Sequence, residues 1–107
     1  MKTLTVVVEK KSSDLVVLKL KGDFEGVSAL EGKQELLSAV RDNASGNILL
    51  DLAEVSYIDS MAVGILLEMA IQAAKKNTKL AIIYANDSVK KVLSVTKVNE
   101  MVTVFDL

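Results

Sequence analysis

Three features of the sequence predict an α/β domain whose mixed, mostly parallel sheet of about five strands carries an antiparallel edge hairpin, with helices packed on it. Two period-2 apolar segments near the N-terminus are joined by a short polar turn, which is a hairpin signal. Amphipathic stretches of helical period then alternate with short, nearly all-apolar runs, as in parallel strands linked by helical crossovers. The 107 residues contain no linker, repeat or low-complexity segment, so one domain spanning 1–107 is expected.

Within Thr3–Val8, Leu4, Val6 and Val8 share one face, and Lys10–Asp14 is the polar turn. Leu15–Lys21 turns Val16, Leu18 and Leu20 one way and Lys19 and Lys21 the other, and Gly22 ends the hairpin. Ser28 and Glu31 have capping-box spacing and predict the first helix start. Leu30, Lys33, Leu36, Leu37 and Val40 follow at 3 to 4 spacing, with Gly46 positioned to stop the helix. Ile48–Leu52 reads as a central strand covered on both sides. A second helix is predicted from Asp59 or Ser60 to near Lys76, and Lys79–Tyr84 as another buried strand. Asp87 is the expected cap of a short helix carrying Val89, Val92 and Leu93 on one side, and Met101–Phe105 the last strand. The element order is β-β-α-β-α-β-α-β.

Composition excludes several kinds of function. Thirteen basic and fourteen acidic residues leave a net charge of −1, which argues against nucleic acid or an anionic membrane surface as partner, because both need a basic patch. The longest apolar stretch, Met61–Leu67, is far short of the roughly 18 residues that span a bilayer. No secretory signal opens the chain, so a cytoplasmic location is expected. With no Cys and no His, thiol chemistry, thiolate or imidazole metal sites and Ser-His-Asp triads are excluded. The expectation is a protein that is not an enzyme and needs no cofactor or metal.

The most distinctive stretch is Ile48–Met69, ILLDLAEVSYIDSMAVGILLEM. On a helix of about 100° per residue from Ser60, Val63, Leu66, Leu67, Ala70 and Ala74 form the expected core face. Glu68, Gln72, Lys75 and Lys76 form the opposite, wet face. Met61 and Ile65 break this division, for both project onto the wet side beside Ser60. They are either single exposed apolar residues or anchors of a small contact surface. Ser60 also has two readings. It is an N-cap, or it is a phosphoacceptor whose phosphate would meet the positive end of the helix and add about two negative charges beside Asp59.

This stretch resembles the signature of the STAS domain of bacterial anti-sigma-factor antagonists. The matching residues are Leu50-Asp51-Leu52, Val55-Ser56-Tyr57-Ile58, Asp59-Ser60 and Gly64-Ile65-Leu66-Leu67. Leu20-Lys21-Gly22-Asp23-Phe24-Glu25 and Ala29 are similar to the family's Gly-x-Leu-Asp entry to the first helix, and the strand order agrees along the whole chain. The resemblance implies a partner switch. The unphosphorylated protein would bind an anti-sigma factor with serine kinase activity and so free a sigma factor; phosphorylation would break that complex, and a serine phosphatase would restore it. It implies phosphorylation at Ser60 and partner binding through Asp59, Met61, Ile65, Glu25 and Asp23, in a monomer or weak dimer. Met61 and Ala62 depart from the Ser-Gly that often follows the acceptor, and Glu25 with Phe24 stands for Leu-Asp. Family members commonly add a helix after the last strand, whereas this sequence stops at Leu107.

A receiver-like phosphoaspartate site at Asp51 lacks paired acids after the first strand and a lysine after the last. Asp51 is instead expected to bond backbone groups beneath the Ser60 loop. A hydrolase elbow would need Gly-x-Ser-x-Gly, and a phosphate-binding loop would need its glycines and lysine. The remaining alternative keeps the fold as a non-switching scaffold subunit of a sensory or transport complex.

Overall fold

The computed structural model describes residues 3–43 and 46–107. Strands β1 (Leu4–Ser12), β2 (Leu15–Gly22), β3 (Asn47–Glu54), β4 (Lys79–Ile83) and β5 (Thr103–Val104) lie side by side in sequence order. β1 and β2 form the antiparallel edge hairpin, and β2 to β5 run parallel. The crossovers carry α1 (Gly26–Asp42), α2 (Ser60–Lys75) and α3 (Asp87–Val95), with one 3-10 turn at Val98–Glu100 before β5. Right-handed crossovers between strands that advance in one direction put all three helices on the same face of the sheet.

Burial follows from that arrangement. Val16, Leu18 and Leu20 of β2, Ile48, Leu50 and Leu52 of β3, and Leu80 and Ile82 of β4 point under the helices and are buried. Among the alternate residues, Leu15, Lys19, Leu49, Asp51 and Ala81 are only half-buried, whereas Val17 and Ile83 are buried. The expectation that Ile48–Leu52 is covered on both sides is therefore corrected. A run of Leu and Ile hides period-2 burial, because the half-buried face accepts an apolar side chain such as Leu49 as readily as a polar one.

Two helix boundaries and one strand also differ from expectation. α1 starts at Gly26, with Glu25 as the extended cap residue, so Ser28 lies inside the helix, buried, and caps nothing. α3 is capped by Asn86, whose Oδ1 accepts from the Val89 N–H at 2.8 Å, and not by Asp87. The last strand shortens to Thr103–Val104 because Val98–Glu100 coils first.

The buried stripe of α2 comprises Ala62, Val63, Ile65, Leu66, Met69, Ala70 and Ala73. Its centre is rotated by roughly 70° from the stripe expected from the sequence. Ile65, expected on the wet side, is 2% exposed. The cause is α1, which packs along the flank of α2, so α2 buries one strip on the sheet and a second against its neighbouring helix. Ala74 is correspondingly exposed.

Candidate functional site

The carboxyl ends of β2 and β3 lead into the starts of α1 and α2, where open α/β sheets place their sites. Just before each helix, Phe24 and Ile58 pair in an isolated parallel bridge, and both side chains are buried. This bridge brings the two helix starts together, and Asp59 completes the join. Its Oδ1 accepts from the Ala62 N–H at 3.1 Å, capping α2, and its Oδ2 accepts from the Gly26 N–H at 2.8 Å at the start of α1. One carboxylate thus satisfies a free donor of each helix and faces the positive ends of both. Glycine is needed at position 26, where φ is +52° as the chain turns from extended Glu25 into the helix.

The loop between β3 and α2 is held on its other side by Asn86. Its Nδ2 donates to the Ser56 carbonyl at 3.1 Å and to the Val55 carbonyl at 3.4 Å, while its Oδ1 caps α3. Val55 and Ile58 anchor the loop in the core, leaving Ser56 and Tyr57 exposed. Ser60 follows as the first residue of α2 and is exposed. Because Asp59 supplies the cap, the hydroxyl of Ser60 is not committed to helix initiation. Of its two sequence readings, the N-cap one is set aside.

Of the other residues singled out from the sequence, Met61 is 41% exposed beside Ser60. Asp23 and Glu25 flank buried Phe24 and are half-buried; Asp23 donates its N–H to the Thr3 carbonyl at 3.0 Å. Ile65 reaches this end only as part of a groove wall, shared with Lys33, Ser60, Met61, Gly64 and Glu68. Asp51 does not lie beneath the Ser60 loop as expected. Its Oδ1 accepts from the Ala53 N–H at 2.9 Å within its own strand end, on the face away from the helices.

The sequence reading missed Asn86, Lys33, Val27 and Tyr57. An Asn ahead of Asp87 was a legible cap signal, since both residue types cap well. Lys33 looked like one position of an amphipathic stripe, yet it crosses to α2 and pairs with Glu68 at 3.2 Å. Val27 and Tyr57, 71% and 49% exposed, line a second shallow cleft with Glu25, Glu31 and Asp59. The site therefore combines exposed apolar side chains, a free hydroxyl and several carboxylates on a rigid base. Among the described residues no group of three or more potential ligands is arranged to hold a metal ion.

A model of the STAS domain family matches residues 6–106. An anti-sigma factor antagonist from Mycobacterium paratuberculosis superposes with a TM-score of 0.84 at 18% identity, over 98% of this chain and 87% of that one. The Bacillus cell fate determinant SpoIIAA in its phosphorylated form gives 0.71 at 15%, over 94% and 91%. The murine anion transporter Slc26a9 gives 0.75 at 13%, over 98% of this chain and 21% of the transporter. At these identities the likeness is one of fold.

Proposed function

The chain belongs to the STAS domain family, and we propose that it is an anti-sigma-factor antagonist switched by phosphorylation of Ser60. In this reading the unphosphorylated protein binds, in the cytoplasm, an anti-sigma factor with serine kinase activity, and a sigma factor is released. It acts as a binding module and kinase substrate, not as an enzyme. Exposed Met61, Tyr57 and Val27 supply apolar contact area around Ser60, and Asp23, Glu25 and Asp59 supply a negative rim. Ile65 supports the groove from below and presents little area itself.

The observation that carries this reading is the division of labour between Asp59 and Ser60. Capping falls to Asp59, so Ser60 is open to a kinase at the centre of the apolar surface. In the transfer, Ser60 Oγ bonds to the γ-phosphorus of ATP and the bond to the bridging oxygen breaks. ADP leaves, and the hydroxyl proton passes to a base of the kinase. The product carries about two added negative charges in the middle of the contact surface. The SpoIIAA relative, whose structure is known unphosphorylated and phosphorylated, supports a modification of this kind.

The test is a pull-down from the native host's lysate with wild type and Ser60→Asp as parallel baits. Capture of a kinase-type regulator by wild type alone, followed by phosphate incorporation at Ser60 with ATP, is the expected result. Capture of the same partners by both baits would overturn the switch. It would favour a scaffold role, which the likeness to part of a transporter chain supports.

A further inference from the structure

We propose that Lys33 is the intramolecular counter-ion for a phosphate on Ser60, exchanging its ion pair with Glu68 for the phosphate; the proposal rests on the reading of Ser60 as the acceptor. Ser60, Gly64 and Glu68 are spaced i, i+4 and i+8, so they form one stripe along α2, about 12 Å from end to end. Lys33 reaches over this stripe from α1. It lines the same groove as Ser60 and holds the Glu68 carboxylate at 3.2 Å, with the two side chains 33% and 43% exposed. A pair so open to water is weakly held and screened by salt, and therefore easily exchanged.

Two further observations favour the exchange. Gly64 lies between the two anions, and a Cβ built there would meet no atom within 4 Å. The groove floor is thus open for a four-carbon lysine stem to swing along it. The other charged residues of the two clefts at this end, Glu25, Glu31, Asp59 and Glu68, are all acidic, which leaves Lys33 as the cation among the described lining residues. Asp59 already occupies the Ala62 and Gly26 N–H groups, so it competes for the donors of the helix start and repels a dianion on the adjacent residue. Lys33 offers a charge-assisted hydrogen bond instead. Its departure unclips α1 from α2 at Glu68 and leaves a carboxylate unpaired two turns from the modification. A local phosphate thereby changes the charge pattern of the whole groove.

The experiment uses the full chain with phosphoserine installed at position 60 during translation, followed by phosphorus NMR through a pH titration. An ammonium beside the phosphate favours its dianion, so the second ionisation, ordinarily near pH 6, moves to lower pH. The midpoint in wild type is expected to lie below that of Lys33→Gln by about 0.3 pH unit or more, with Lys33→Arg restoring it. Lys91→Gln, at an exposed position of α3, serves as the remote-charge control. Equal midpoints for wild type and Lys33→Gln, or an equal rise with Lys91→Gln, would overturn the proposal. Because the phosphate is placed without a kinase, such a result removes Lys33 alone. Failure of the partner switch would appear only in the pull-down.

Discussion

Two regions of this molecule use carboxylates in opposite ways. At the hairpin edge, Glu9 pairs with Lys11 at 2.8 Å and Lys19 at 3.2 Å, all three side chains remaining partly open to water. At the helix starts, half-buried Asp59 accepts from two backbone N–H groups that lie far apart in sequence. The ion pairs exchange one hydrated arrangement for another and are worth little. The capping bonds satisfy donors that would otherwise be stranded at the ends of two helices, and they join elements that carry the site. The partners a carboxylate reaches, not the number of charges around it, decide which one matters.

The largest test of this comparison lies just below the site. Ile65→Asp buries an unpaired charge between α1, α2 and the sheet, and is expected to cost more than about 4 kcal/mol, enough to unfold the domain or lower Tm by some tens of degrees. Scanning calorimetry would check it; a Tm near wild type would mean that α1 does not cover Ile65. Next is Asp59→Ala, which strands donors of both helices and is expected to cost about 2–3 kcal/mol in urea unfolding. Asp59→Asn keeps one good acceptor and should cost about half as much. A loss no greater than a few tenths would remove the contrast with the hairpin.

Gly64→Ala has the opposite sign. With open space around the new methyl group, it is expected to stabilise α2 by about 0.5–1 kcal/mol. Ser60→Ala should shift stability by less than about 0.5 kcal/mol, whereas removal of a capping serine typically costs about 1. Glu9→Gln is expected to have the smallest effect. Lys11 and then Lys19 hold the Glu9 carboxyl below its usual range. A depressed folded pKa contributes stability above the unfolded value, near 4.3, and loses it as pH falls through the folded one. Any Tm difference from wild type should therefore be small at neutral pH and disappear in acid. A large difference at pH 7 would show that the exposed pairs do count.

Much of this architecture was legible in the residue pattern. The alternation in Leu15–Lys21 and the helical spacing after Asp59 report interactions within one element, where side-chain direction follows from backbone period alone. Five strands, the edge hairpin and the parallel crossovers were anticipated on that basis and are present. Ser60 at the start of α2 was anticipated as well, because cap signals are local.

The sequence by itself thus determined which segments become strands and helices and where the second helix starts, since both depend on contacts among residues a few positions apart. Only the tertiary structure decided which way α2 faces and which acid holds the site. Ile65 is buried because a second helix lies along α2, and no periodicity within residues 60–75 encodes that neighbour. Asp59 reaches Gly26, 33 positions away, because the Phe24–Ile58 bridge brings the two loops side by side. Lys33 meets Glu68 for the same reason. Helix packing creates these long-range pairings, which no residue taken alone reveals.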